Sequence, residues 1–273
     1  MSKKVLEINY LHQLCEQIKA EVVPSKIHDQ FSNLLEFYDI INYSFSYSRE
    51  IWRGRLCENE LGYSNVNKIG CPPKNLTQAN RLNEAHDPLL YSSINQYAVL
   101  DEIGADEGSY VHMLAYSTIK GKPLRVGIVG EMAHTHRWGN ARSSEYVGEQ
   151  LRRIMMEMPL EVCRSAVYTD AFISSVLQDP NASENNYLHS RILASLLFKK
   201  QGDLDGLVYP SVALENSMNF AIKPSSVEQK LTRKNTFVIK VKKKFKYGIY
   251  DLEVVRLAEG EHPNGDILWR SGC

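Results

Sequence analysis

The hydrophobic residues change period along the chain, and the order of the two periods constrains the fold more than any other feature. Leu11, Leu14, Ile18 and Val22, then Ile27, Phe31, Leu34, Tyr38 and Ile41, recur at helical spacing around a break at Pro24-Ser25. Residues 5–43 are therefore expected to form two helices, a lid or packing layer. Short β-prone segments follow at 110–116 and 124–129, separated by Gly121-Lys122-Pro123, and a hairpin is expected there. Helical spacing then returns. Val147, Leu151, Ile154, Met155 and Met158 share one face, followed by Ala171, Phe172 and Val176, then Tyr187, Ile192, Leu193 and Leu196. Met155, Met156 and Met158 read as core filling. Gly206-Leu207-Val208-Tyr209-Pro210-Ser211 reads as a buried strand stopped by proline, and segments 236–241 and 247–255 as a second hairpin. Strands flanking a central helical segment make the expected class α+β.

A chain of 273 residues is long enough to bury a substantial core, as one large domain or one domain with a small appendage. Its 43% hydrophobic and 23% charged residues exclude a disordered chain, a collagen and a disulfide mini-protein. Lys+Arg and Asp+Glu both number 32, so no net field recruits nucleic acid or anionic lipid, and any such partner needs a local patch. The apolar stretches are too short to span a bilayer, and the start, Met1-Ser2-Lys3-Lys4, leads into an amphipathic segment, so a cytoplasmic location is expected. Cys15, Cys57, Cys71, Cys163 and Cys273 are scattered and never paired as C-x-x-C, which points to reduced thiols and no metal site.

Residues 58–87, rich in Asn, Gly and Pro, show no sustained period and are expected to form a long loop region, where ligand contacts concentrate. Around them lie Trp52-Arg53-Gly54-Arg55, Asn80-Arg81-Leu82-Asn83, Leu90-Tyr91-Ser92-Ser93 and Asp101-Glu102. Guanidinium groups, a tyrosine and a carboxylate suit an anionic, ring-bearing ligand, because arginine meets phosphate with a planar fork of donors. The ordinary alternative is a set of surface ion pairs, each worth under about 1 kcal/mol.

The order of these pieces resembles the RES domain. The family's aromatic-Arg, Arg-x-Asn, Leu-Tyr-x-Ser, Ala-x-x-x-Glu and Gly-x-x-Tyr-Pro-Ser followed by Asn stand here as Trp52-Arg53, Arg81-Leu82-Asn83, Leu90-Tyr91-Ser92-Ser93, Ala98 to Glu102, and Gly206 to Ser211 with Asn219. The resemblance covers about residues 50–224. It implies an α+β, ADP-ribosyltransferase-like RES fold over 50–224, preceded by a helical extension at 1–49 and followed by a β-rich extension at 225–273 packed on the same domain. RES proteins are toxins of bacterial toxin–antitoxin pairs that destroy NAD+. By position, Arg53, Arg81, Tyr91, Glu102 and Ser211 match the family's active-site residues, and Arg55, Asn83 and Asn219 complete the expected nucleotide-binding set. The chain departs from the family at Asn80, where a glycine is usual, and Arg53 and Arg55 compete for the first arginine's place. Arg53 is favoured because it directly follows the aromatic residue. A segment near 131–165 is longer than in compact members.

The implied reaction breaks the bond between the anomeric carbon of a ribose and the cationic nicotinamide nitrogen of NAD+. Nicotinamide departs neutral, so no general acid is required, and the barrier lies in the oxocarbenium-like charge that builds on the sugar. Glu102 is the candidate for offsetting that charge. Arg53 and Arg81 would clamp the diphosphate, Tyr91 would stack on or wall in the nicotinamide, and Ser211 would bond a ribose hydroxyl. NAD+ enters as substrate rather than resident cofactor, with inorganic phosphate a candidate co-substrate: water, phosphate or a protein side chain as acceptor gives hydrolysis, phosphorolysis or ADP-ribosylation. The resemblance also implies a neutralising antitoxin with a helix-turn-helix domain. It is compatible with a homo-oligomer and calls for no nucleic acid or membrane. The rival readings are a mono-ADP-ribosyltransferase that modifies a protein and an inactive RES-like scaffold that binds a nucleotide or a partner.

Three further features are set aside. His134-Thr135-His136 has no third ligand nearby in sequence and reads as surface or loop. The run from Lys240 to Lys246 reads as a solvated edge strand protected by lysine. Gly127-x-x-Gly130 lacks the rest of a dinucleotide fingerprint and the helix that should follow at once.

Overall fold

The computed structural model of the chain describes residues 5–46 and 50–270. In chain order they form α1 Ile8–Ala20, α2 Pro24–Glu36, β1 Ile41–Phe45, β2 Ile51–Cys57, β3 Leu90–Ser93, α3 Gln96–Glu102, β4 Tyr110–Thr118 and β5 Leu124–Ile128. There follow α4 Glu131–Trp138, α5 Glu145–Glu157, α6 Leu160–Leu177, α7 Leu188–Lys200, β6 Gly206–Pro210, β7 Met218–Ile222, α8 Pro224–Lys230, β8 Leu231–Lys244, β9 Tyr250–Glu261 and β10 Ile267–Trp269. The chain thus combines helices with sheet, as the α+β expectation has it. No helix among the described residues is long and apolar enough to cross a membrane. Cys15, Cys57, Cys71 and Cys163 are free thiols, and Cys273 lies outside the described residues.

Two compact units share the chain. The first holds residues 1–43, 78–85 and 125–210, the second 44–77, 86–124 and 211–273. The expected extension at 225–273 lies wholly within the second unit, and residues 1–43 of the N-terminal extension within the first.

The first unit is a helical layer on a parallel strand pair. Leu11, Leu14 and Ile18 of α1 and Ile27, Phe31 and Leu34 of α2 are buried, as the stripe requires, and Phe31 meets Phe172 of α6 with ring centroids 6.2 Å apart. The stripe overreaches at its end: α2 stops at Glu36, and Ile41 opens β1 instead of continuing a helix. Parallel β5 and β6 are linked through α4 to α7, with Val126, Gly127 and Ile128 opposite Gly206, Leu207 and Val208. β5 is therefore no hairpin partner of β4, because a parallel pair needs a long crossover and the helical block supplies it. Met156 is 86% exposed and Met155 and Met158 are only half-buried, against the core-filling expectation. Five residues beyond buried Leu151, Met156 stands about 140° around the helix from it.

A helix does follow Gly130 at once, correcting the expectation there, and it carries both histidines on α4, His136 exposed as the surface reading has it and His134 half-buried. Its N-terminus is already filled. Fully buried Asp170 accepts from Gly130 N at 2.8 Å and Ala133 N at 2.9 Å, and Tyr38 Oη donates to it at 2.9 Å. Where a phosphate would sit in a dinucleotide fold, this chain places its own carboxylate.

The second unit is an antiparallel sheet in the order β7-β3-β2-β4-β8-β9-β10. The C-terminal hairpin is β8 and β9, longer than its expected segments. Lys240 to Lys244 lie on β8 and Lys246 in the turn that follows; the register with β4 ends at Lys240, while Lys243 and Lys244 pair with β9 alone, so the run is an exposed strand end that leads to the hairpin tip. One face of the sheet buries Val111, Met113, Ile239 and Val241 against Val99 and Leu100 of α3. Gly54 makes that approach possible: a Cβ on it would lie 2.6 Å from Val99 Cγ1. Residues 58–77 run as the expected irregular segment with two single 3₁₀ turns.

Candidate active site

Glu102 ends α3, where the partial negative charge of the helix C-terminus disfavours a carboxylate. Three donors offset that placement. Ser211 Oγ lies 2.6 Å from Glu102 Oε1, Asn219 Nδ2 2.7 Å and Val212 N 3.3 Å from the same oxygen. Oε2 accepts no hydrogen bond among the described residues, and Glu102 is exposed. One carboxylate oxygen is thus held rigidly and the other is open.

The holders are themselves fixed. Ser211, 4% exposed, accepts from Ala213 N at 3.2 Å and Leu214 N at 3.0 Å, so its own proton is directed at Glu102. The Ser211 hydroxyl is thus engaged on Glu102 and on the 213–214 backbone. Asn219, 3% exposed on β7, pairs in register with Ser93 of β3. Its amide must turn Nδ2 toward the carboxylate, which leaves Oδ1 buried with no partner among the described residues.

Pairing registers decide which side of the sheet each candidate faces. Trp52 lies opposite Ser93, and Tyr91 opposite Ala221, two residues from Asn219. Directly opposed residues share a face, so Trp52, Tyr91, Ser93 and Asn219 project to the side where α3 packs on Gly54. Alternation sends Arg53 and Arg55 to the other side. There Arg53 Nε donates to Ile69 O at 2.7 Å and Nη1 to the Tyr91 backbone carbonyl at 2.9 Å. Burial pulls the pKa of this guanidinium below its ordinary value. Only Nη2 makes no hydrogen bond among the described residues. Arg55 is exposed, donates to Lys68 O at 2.5 Å and stacks over Tyr63.

Arg81 and Asn83 belong to the first unit. Arg81 Nη1 donates to Leu177 O and Asp179 O, both at 2.9 Å, capping the C-terminal end of α6, and its guanidinium stacks over Tyr187. Tyr187 lines a cleft of about 650 Å³ together with Lys19, Gln178 and His189. Asn83 Nδ2 donates to Gln78 O and Glu84 O, closing the tight turn that Asn80 opens. Of the eight candidates, then, the structure brings together Glu102, Ser211 and Asn219 directly and places Tyr91 on their side of the sheet.

Sequence reasoning missed the 212–214 backbone, whose amides complete the Glu102 clamp, and Tyr250, whose Oη donates to Asp101 beside it. Backbone donors leave no residue-type signal. Among the described residues no group of three or more His, Cys, Asp or Glu side chains is placed to hold a metal. Comparison of the chain with protein-family models, curated proteins and solved structures finds no match in any of the three.

Proposed function

We propose that this chain is a RES-type, ADP-ribosyltransferase-like enzyme that consumes NAD+ by cleaving the bond between nicotinamide and ribose, with Glu102 as the group that faces the sugar. The supporting observation is the asymmetric Glu102 carboxylate: one oxygen held by Ser211, Val212 and Asn219, the other open. A fixed negative charge needs no reorganisation when positive charge develops on the anomeric carbon, and its attraction grows as that charge grows, which is the condition for lowering a barrier. Nicotinamide carries off the bonding electron pair and leaves neutral, while water, phosphate or a protein side chain captures the ribosyl cation.

The test is incubation of the purified protein with NAD+, with and without inorganic phosphate, following free nicotinamide and the ADP-ribosyl product by chromatography. Catalytic release of nicotinamide is expected. ADP-ribose, its 1″-phosphate or a labelled protein as second product then identifies hydrolase, phosphorylase or transferase. Folded protein that releases none under any of these conditions overturns the reading. On this reading NAD+ depletion makes the chain toxic to its own cell, and an antitoxin is its natural partner, to be sought by co-purification.

One observation favours a second reading, a nucleotide-binding scaffold without turnover: Arg53 commits Nε and Nη1 to backbone carbonyls instead of leaving its fork free for a diphosphate. Calorimetry showing NAD+ binding without nicotinamide release would select it.

A further inference from the structure

The tip of the β8–β9 hairpin, within the second unit, is strained, held against the candidate site and exposed at once. Tyr247 is 94% exposed and sits at φ +65°, a left-handed conformation that disfavours a bulky side chain, and Gly248 follows at φ +70°. Such strain persists only where surrounding structure enforces it. Here the enforcement is visible. Phe245 N donates to Ile249 O at 2.8 Å, closing the turn, and Tyr250 Oη donates to Asp101 Oδ1. Lys244 Nζ reaches the same Asp101 oxygen at 3.6 Å, and Tyr97 of α3 stacks on Tyr250 with the rings 10° from parallel. Gly248 itself abuts the site: a Cβ there would stand 3.3 Å from Leu214 Cδ1 and 3.6 Å from Asp101 Oδ2. Leu214 is the residue whose amide holds Ser211, and Asp101 precedes Glu102. The tip is therefore clamped to both segments that build the candidate site.

What the tip presents is charge and aromatic surface. Lys246 is exposed with no ion pair among the described residues, and Phe245 and Tyr247 flank it, 46% and 94% exposed. An unpaired ammonium group beside exposed rings suits a ligand that carries both phosphate and a flat heterocycle. The arginines expected to grip a diphosphate are otherwise engaged, Arg53 on two backbone carbonyls and Arg81 on the end of α6. We propose that Lys246 and Tyr247 hold the diphosphate and the adenine of the dinucleotide whose glycosidic bond faces Glu102. This inference rests on the function proposed above and adds the residues that select a dinucleotide over shorter nicotinamide ribosides.

The experiment compares wild type, Lys246→Glu, Tyr247→Ala and a control, Lys234→Glu, exposed on β8 away from the tip. Nicotinamide release from NAD+ and from nicotinamide riboside is measured alongside direct calorimetric binding of ADP-ribose. Lys246→Glu and Tyr247→Ala are expected to raise KM for NAD+ about tenfold with kcat held within about twofold, the pattern of lost uniform binding. They should weaken ADP-ribose by a similar factor, while the control matches wild type. Unchanged KM for NAD+ and unchanged ADP-ribose affinity in both tip variants would overturn the proposal. Should wild type release no nicotinamide from either substrate, the function fails, and the ADP-ribose affinities of the same four proteins still decide the tip. Both side chains are exposed, so thermal melting should show all variants folded as wild type.

Discussion

Ser211 Oγ stands 2.6 Å from Glu102 Oε1 while accepting hydrogen bonds from Ala213 N and Leu214 N. A hydroxyl with both acceptor directions filled has one direction left for its proton, so the loop after β6 dictates where the Glu102 carboxylate sits. The two residues are 109 positions apart in sequence, and their meeting ties the end of α3 to the segment that leads into β7.

Glu102→Gln is expected to lower kcat for nicotinamide release by about a hundredfold or more, because it keeps the Ser211 contact and removes the charge. Ser211→Ala should lower kcat by about tenfold with KM near wild type, since the carboxylate is present but loosely aimed. Ser211→Thr, which retains the hydroxyl, should recover most of that loss. A purely structural Ser211 would change melting temperature in step with activity and show no such rescue. Arg125→Ala serves as the control, because that guanidinium is exposed and pairs with Asp203 at the surface. Steady-state kinetics on the four variants checks the set.

Arg53 predicts a stability effect. Its Nε and Nη1 pin the carbonyls of Ile69 and Tyr91, joining the irregular 58–77 segment to β3 through β2. Lysine reaches one of those carbonyls and leaves the other unsatisfied, so Arg53→Lys should destabilise the protein by about 1–3 kcal/mol. Limited proteolysis should then cut within residues 58–77 faster than in wild type. Arg55→Lys, whose single bond to Lys68 O is at the surface, should leave both readouts unchanged.

The contrast between these arginines shows what was legible in the sequence. The helical stripes of α1 and α2, the buried run at Gly206–Pro210, the β8–β9 pairing and the meeting of Glu102, Ser211 and Asn219 follow from local pattern and ordered motif pieces. The partner of β5 did not. A β-prone segment after a Gly-Lys-Pro turn is the same string whether it pairs with the strand before it or, in parallel, with one reached only through four helices. Arginine also reads the same in sequence whether its fork meets a phosphate or a carbonyl, and only the face assignment through Trp52 and Ser93 separates the two. Asp170 was invisible for a third reason: a buried helix cap 40 residues from the amide it serves has no spacing to betray it.

Gly54 is where α3 and the sheet come closest, and the distance makes a quantitative test. A methyl at that position would sit 2.6 Å from Val99 Cγ1 and 3.1 Å from Met113 Sδ, both in a closely packed core. Gly54→Ala should therefore cost about 1–3 kcal/mol through overpacking. Val99→Ala removes the obstructing methyl, and the double variant should be more stable than the sum of the singles by about 1 kcal/mol or more. Because α3 carries Glu102, Gly54→Ala should also lower kcat, with recovery in the double variant. Denaturant titration and turnover on the four proteins complete the cycle.

His112 sets an acid limit on stability. Its side chain is fully buried between Tyr63 and Trp269, with ring centroids 5.9 and 5.3 Å away. The hydrogen bonds fix the neutral tautomer. Thr236 Oγ1 donates to Met113 O at 2.9 Å and so accepts from His112 Nε2 at 2.8 Å, while His112 Nδ1 accepts from Tyr63 N at 3.0 Å. A proton on Nδ1 would oppose one donor with another inside the core. Burial first, and the nearby Arg256 charge second, hold the imidazole pKa down at about 4, from an ordinary 6.5. The unfolded chain therefore takes up this proton more readily than the folded one as the pH drops below 6.5. The stabilisation is complete above pH 6.5, declines as the pH falls toward 4 and is absent below it, in total about 3 kcal/mol. Urea titrations at pH 7.5, 5.5 and 4.5 should show this decline in wild type. His112→Gln should be less stable at pH 7.5 yet lose less between pH 7.5 and 4.5, and an equal loss in both proteins would show that another group sets the acid limit.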